Sequence, residues 1–432
     1  MVKPGIPRPI LKLRAFLAVA LLISACAIPP WLAPQATGEA AGPAESPPPQ
    51  PSTKSTPSAT STILSVWVPP AFDPGSSTPS ASLLQARFDE FSDRHPQVRI
   101  ETRVKAESGT GGLLDSLLMG KIAAPLSLPD LVLLPHTQLA TAVQGGVLLP
   151  LTDSIEDLGS EDWYPFAKQM IAVDGESYGT PFAGDGLVLA YRPTAVSQIP
   201  DTWEALLQSS LVLGFAAADP DAIFALFQLM AQGTEPQDSG SLLFSRENLI
   251  AFFEFLAAGE ESAVFPFWLS QYQTSEQSWQ AFTEGRVPMV AAWTSAVFDN
   301  RNVDILASPL PTQSGAPFTL VRGWAWAVST ARSENQALAI ELVEFLSTPE
   351  FIAQWTASAG MLPTRHSSLA AWPPDFKQAL ASQVADSAEA LPSEAVLDAW
   401  GQALTEAVVS LLKREATPEE AVQAVIIAVT PQ

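Results

Sequence analysis

The chain has 432 residues, a formal net charge of −23 and 47% hydrophobic residues. That apolar share excludes disorder for the bulk and is enough for two lobes, each with its own core. The acidic balance argues against nucleic acid and anionic lipid headgroups as partners.

Lys3, Arg8, Lys12 and Arg14 make a basic start, and Ala15 to Ile23 is an apolar run too short for a permanent membrane span. Ile23-Ser-Ala-Cys26 follows and holds the only cysteine of the chain. This resembles the lipobox of bacterial lipoproteins, where Cys26 would carry the lipid; a plain secretory signal with a stray cysteine is the alternative. Residues 1–26 are thus expected to be a lipoprotein signal peptide. Residues 27–61 are a Pro/Ser/Thr-rich disordered tether, with prolines from Pro29 to Pro57 among Ala, Ser and Thr.

From there strands and helices alternate. Thr62 to Val68 reads as a buried first strand, ended by Pro69-Pro70. Leu84, Phe88 and Phe91 fall on one face of a helix, and Val98 to Val104 alternates as a second strand. A glycine-rich loop precedes a helix near Leu113 to Lys121. Asp130 to Leu134 is a third strand, and His136 to Gln144 a short helix stopped by Gly145-Gly146. The alternation predicts an α/β fold with a mainly parallel sheet. Tyr178 to Arg192 holds Pro181, two glycines and Asp185, then the strand-like Leu187 to Tyr191. It reads as an irregular crossing between two lobes, its acid facing the gap. Further on, Leu338, Leu342, Phe345 and Leu346 form one helical stripe, and Trp400, Leu404, Val408, Leu411 and Leu412 another. Thr348-Pro349-Glu350 and Thr417-Pro-Glu-Glu420 read as helix N-caps followed by Pro and acids.

Six blocks in order resemble the sugar-binding, maltose-binding-protein-like branch of the extracellular solute-binding proteins of ABC importers. They are Leu84 to Val104; Leu128-Pro-Asp-Leu-Val-Leu-Leu134 with Gln138-Leu-Ala and Gly145-Gly-Val-Leu-Leu-Pro-Leu151; Tyr178 to Tyr191; Pro200-Asp-Thr-Trp-Glu-Ala-Leu206; Phe282-Thr-Glu-Gly-Arg-Val-Pro-Met289; and Pro309-Leu-Pro311 with Gly323 and the helix to Pro349-Glu350. The resemblance implies a two-lobed type II periplasmic-binding-protein fold with several hinge crossings. Lobe 1 would take 62–183 plus 310–349 and lobe 2 would take 186–303 plus 350–432. The crossings would lie near Ala183–Gly186 and Asp304–Pro309.

The same resemblance implies a cleft whose polar groups bond sugar hydroxyls and whose aromatic faces cover the rings. Twelve tryptophans against four tyrosines suit flat stacking surfaces. Asp185 matches the cleft acid, with a turn cap as the alternative. His136 follows the third strand, where cleft-lining groups sit, and a surface helix cap is its alternative. Thr137-Gln138 replaces the Asp-Arg pair often found there, leaving Gln138 as the polar candidate. Phe72 is expected as an apolar wall. Asp219 matches a second-lobe acid, although Pro220 after it suits a helix cap. Trp293 lies where the family carries a stacking aromatic. Arg322, Trp324 and Trp326 share a strand face, one of the tryptophans for the cleft and the other for the core, with Gly323 open to a close ligand. Arg365 matches a rim motif, a surface ion pair being its alternative. Trp400 matches a stacking position but lies on an apolar stripe, which favours core.

The function expected is a monomeric, membrane-anchored receptor on the outer face of the cytoplasmic membrane. It would capture a small carbohydrate by hinge closure and deliver it to ABC permease subunits, with no metal, no cofactor and no bond made or broken. The same fold holding a cationic solute, a polyamine or a peptide, is the alternative that suits the acidic charge. A glycosidase using Asp185 and Asp219 is a third reading without other support. His95, His136 and His366 are too scattered for a metal cluster, and no phosphate loop or Gly-x-Ser-x-Gly is present.

Overall fold

The computed structural model describes residues 61–233, 244–300 and 304–430. The signal peptide with Cys26, and the tether except for Ser61, lie outside the described residues. Strands β1 (Thr62–Val68), β2 (Val98–Val104) and β3 (Leu131–Pro135) pair in parallel in the order β2-β1-β3. The helix Pro79–Arg94 covers them, its Thr78 hydroxyl accepting from Ala81 N at 3.2 Å and its Leu84, Phe88 and Phe91 buried. A hairpin of β4 (Ala172–Val173) and β5 (Glu176–Ser177) turns on Asp174-Gly175, both at positive φ.

β6 (Thr180–Tyr191) organises the rest. All twelve of its residues are buried. It is followed by β7 (Leu213–Gly214), β8 (Met289–Trp293), β9 (Leu306–Ser308) and β10 (Thr319–Val328). Through Gly186, β6 runs antiparallel to β10; from Leu187 onward it pairs with β8 and β9. β10 in turn lies antiparallel to β3, so one path, β2-β1-β3-β10-β6-β8-β7, carries the main sheet through both halves. The short β11 (Leu362–Pro363) adds to β6 and β12 (Ala388–Ala390) to β10. The parallel part is the one where strand and helix alternate in sequence; the two long strands run antiparallel.

Tyr178–Gly186, expected as irregular, is therefore strand from Thr180 on. Pairing with β10 skips Phe182: Ala183 lies opposite Trp324 and Pro181 opposite Ala325. The bulge accommodates a proline that has no N–H to give the ladder. Gly184 is required by packing, since a Cβ there would meet Val321 Cγ1 at 2.9 Å and Phe166 Cε2 at 3.0 Å.

Two apolar clusters fill the body. The first holds Leu64, Val66, Phe88, Leu133, Phe182 and Trp326, and also Leu342, Phe351, Trp355 and Leu380. The second holds Leu189, Phe224, Phe253, Phe265, Leu404 and Val422. Along the end of β6 the clusters alternate, Val188 and Ala190 facing the first and Leu187, Leu189 and Tyr191 the second. The helix Glu394–Leu412 is long and apolar enough to cross a membrane by length and composition, but Trp400, Leu404, Val408 and Leu412 fill the second cluster. Thr417 and Glu420 form a reciprocal capping box. Thr348 precedes its helix without capping it, because its hydroxyl accepts from Arg87 Nη2 at 3.0 Å instead.

Candidate functional site

A groove of about 320 Å³ opens between the two halves of the sheet, within the usual size of small-molecule sites. Glu107, His136, Thr137 and the β10 run Arg322-Gly323-Trp324 line one wall. Phe215, the loop Asp219–Asp221, Phe224, Gln273 to Glu276, Ala291 and Trp293 line the other.

At its seam lies Asp185, fully buried at 0% exposure. Its Oδ1 accepts from Thr294 Oγ1 at 2.9 Å and Ser295 N at 2.8 Å; its Oδ2 accepts from Ser295 Oγ at 2.7 Å. Arg322 donates to the same Oδ2 through Nη2 at 2.9 Å and Nε at 3.2 Å. Asp185 thus ties β10 of one half to the residues after β8 of the other at the point where β6 changes partners. It is spent internally, so the imagined carboxylate pair with Asp219 cannot act on a glycosidic bond. Arg322 is the group presented outward: its side chain is 36% exposed and its guanidinium lies 4.3 Å from the Trp293 ring centre and 5.9 Å from that of Trp324. Its Nη1 makes no hydrogen bond among the described residues.

His136 is a clasp. Nδ1 accepts from Gly323 N at 3.0 Å and Nε2 lies 2.9 Å from Leu391 O, an arrangement that assigns the neutral Nε2–H tautomer. Burial pushes its pKa below the ordinary histidine value. Beside it, burial raises the Glu107 carboxyl, with the nearby Arg322 guanidinium and Trp324 indole N–H pulling the other way.

A sequence model of the bacterial extracellular solute-binding proteins matches residues 86–383. The chain belongs to that family. Members of this family capture solutes outside the cell rather than transform them, which places the solute-binding body on the extracytoplasmic side. Over 301 residues it is 23% identical to a maltotriose-binding protein of Pyrococcus abyssi. That match spans 65% of this chain but only 63% of the relative, short of two thirds of its length. Among solved structures, the maltotriose-bound maltotriose-binding protein of Thermus thermophilus superimposes with a TM-score of 0.66 at 18% identity, covering 85% of this chain and 98% of that one. The cyclic α-maltosyl-1,6-maltose-binding protein of Arthrobacter globiformis gives 0.71 at 17% identity, covering 85% and 98%. These likenesses are of fold, and the fold is the two-lobed type II architecture expected from the sequence.

The solute-binding protein brings His136, Asp219, Trp293, Arg322 and Trp324 to one groove, with Asp185 directly behind Arg322. The other candidates lie elsewhere. Gln138 is buried and donates to Glu107 O at 3.0 Å. Phe72 stands beneath the wall rather than on it, its ring centre 5.0 Å from that of Trp324 and stacked on Trp355 at 5.0 Å. Trp326 is fully buried. Arg365 stacks over Trp163 at 3.5 Å and pairs with Asp157 and Asp162. Trp400 meets Phe244 edge-on at 4.8 Å within the second core. Gly323 was expected to leave room for a ligand; Met170 Sδ takes that room, 2.0 Å from where a Cβ would stand. Sequence reasoning missed Glu107, Asp221, Glu276, Phe215 and Gln273. Glu276 lies in the first turn of a helix, where an acid is explained by the helix dipole alone.

Asp219 combines both expected roles. It lines the groove, and its carboxylate accepts from Asp221 N at 3.2 Å and Ile223 N at 3.4 Å at the start of a helix. Burial first, then Asp221 and Glu276, push its pKa from 3.8 up to about 6. The folded state holds the proton more tightly than the unfolded chain, so this carboxyl's contribution is complete below the unfolded value and is lost as pH rises through about 6. Asp219→Asn keeps an acceptor and removes that loss. It should match the parent at acid pH and exceed it by about 1–2 kcal/mol in urea unfolding at neutral pH. A stability gain independent of pH would refute this account.

Proposed function

We propose that this protein is a lipid-anchored receptor that captures a carbohydrate in the groove and presents it to the permease of an ABC importer. The observation that carries this reading is the pair of indoles, Trp293 and Trp324, set on opposite walls around the free end of Arg322. Indole faces cover the C–H faces of sugar rings, while Arg322 Nη1, Glu107 and Asp219 supply donors and acceptors for hydroxyls. The sugar-binding relatives of the same family support it. No bond is made or broken.

In this proposal the two lobes swing about β6 near Gly186–Leu187 and about β10 near Leu320–Val321, and a solute touching both walls favours the shut form. Lobe 1 then takes 62–186 and 321–388, because Phe351, Trp355 and Leu380 pack in the first core. The lobe boundary expected at 349 moves accordingly. Cys26 carries the lipid, and the proline-rich stretch after it spaces the body from the membrane.

Thermal unfolding of the full chain with a panel of neutral oligosaccharides tests the reading. A true ligand at 100 times its Kd adds about 2.7 kcal/mol. Trp293→Ala should weaken that ligand about 10- to 100-fold, while Trp293→Phe keeps most of the affinity. A panel in which polyamines or peptides shift the transition and no glycan does would sink the carbohydrate assignment. Loss of labelled fatty acid in Cys26→Ser, with retention in the parent, is the expected result for the anchor.

A further inference from the structure

We infer that the solute is an amino sugar, a carbohydrate whose protonated amine sits against Asp219, Asp221 and Glu276 while its hydroxyls meet the Arg322–Trp324 wall. The inference rests on the carbohydrate reading and narrows it.

The two walls ask for different chemistry. On the β10 wall the unmet groups are donors. Trp324 is 4% exposed and lines the groove, yet its indole N–H meets the hydrogen-bond geometry with no group among the described residues, the Glu107 carboxyl being the acceptor nearby. Arg322 has given Nε and Nη2 to Asp185 and holds only Nη1 in reserve. Both groups want neutral oxygen acceptors, which sugar hydroxyls and ring oxygens provide. On the opposite wall the unmet groups are anions. Asp219, Asp221 and Glu276 share one rim of the groove, and Asp221 and Glu276 each repel the Asp219 charge. Glu394 and Asp398, packed behind Asp221, add to the negative field.

Nothing among the lining residues balances this. Among the described residues Arg322 is the only Lys or Arg lining the groove, and Asp185 already neutralises it. His136 is fully engaged by two backbone partners, and its burial favours the neutral ring. Glu107 stands beside Arg322 and adds a further carboxylate. A neutral hydroxyl accepted by Asp219 satisfies lone pairs but leaves the mutual repulsion intact. An ammonium group supplies up to three donors and cancels the charge in the same place. A simple polyamine would satisfy the acidic rim and bring no oxygen to the Trp324 and Arg322 donors on the other wall. A solute with oxygens at one end and an amine at the other satisfies both walls.

The test is calorimetric titration of the full chain with three probes of equal ring count: a glucosamine oligomer, its N-acetylated form and a neutral glucose oligomer. The amine should bind at least about tenfold tighter than either neutral probe, since a charge-assisted hydrogen bond outweighs a neutral one. The advantage should shrink with added salt. Glu276 is exposed at a helix start, so Glu276→Gln is compatible with folding and should cut the ratio of amine to neutral affinity severalfold; Asp219→Asn should cut it further. Equal binding of all three probes, or preference for a neutral one, overturns the amino-sugar inference and leaves carbohydrate capture standing. Binding of spermidine with no glycan bound overturns both. An amine preference that persists unchanged in both variants refutes the assigned seat.

Discussion

Asp185→Ala should unfold at markedly lower urea than the parent, with a loss of about 3 kcal/mol, the low end for breaking a buried ion pair. The substitution strands the Thr294 and Ser295 hydroxyls and the Ser295 N–H, and releases Arg322. Arg322 is 36% exposed, so it can swing into water, which is why the upper end of the range is not expected. Asp185→Asn keeps an acceptor for Thr294 Oγ1 and Ser295 N but turns an amide N–H toward Ser295 Oγ and Arg322, and should recover roughly half the loss. The same series reads function. With its anchor gone, the guanidinium leaves the Trp293 face, and sugar affinity should fall in both variants more than stability alone explains. Urea midpoints with unchanged slopes, paired with calorimetric affinities, check this. A loss below about 1 kcal/mol for the alanine would show that the seam is held by backbone pairing rather than by this carboxylate.

Phe72→Ala is expected to cost about 3–5 kcal/mol, the range for emptying a buried phenylalanine site. Phe72 is 1% exposed and lies against Trp355, Trp324 and Phe182 at 5.0, 5.0 and 6.2 Å. Because Trp324 rests on it, the cavity opens directly under the groove wall. Affinity should therefore fall as well, measured far below the melting transition where the protein remains folded. Phe253→Ala is the control: it is equally buried, but in the second core and away from the groove. It should show the same stability loss with unchanged affinity. Equal affinity losses in both variants would mean that the groove senses global softness and not this particular support.

Much of the fold was legible because periodicity reports burial directly. β1, β2 and the helix at Leu84 to Phe91 follow from alternation and from three- and four-residue spacing. Tyr178 to Gly186 misled because proline and glycine are ordinarily breakers. Here Pro181 stands at a bulge and Gly184 makes room for Val321 and Phe166, neither of which a single segment reveals. For the site, strand alternation brought out Arg322 and Trp324 together. It could not tell that Phe72 lies one layer deeper, since a buried aromatic and a cleft aromatic look alike before their neighbours are known. Trp400 and Arg365 carried family-like motifs but are consumed by Phe244 and by Asp157 with Asp162. The acids at Asp221 and Glu276 went unread because a helix start explains an acid by itself.

The shared β6 has a consequence for dissection. A fragment ending before Thr180 would leave β3 without β10, and one beginning after Tyr191 would deprive β10, β8 and β9 of β6. Either piece would carry an apolar, unpaired strand edge, the template on which chains stack into aggregates. Halving the gene should therefore yield two insoluble products, and co-production of the pieces should rescue solubility only when one of them keeps Thr180–Tyr191 whole.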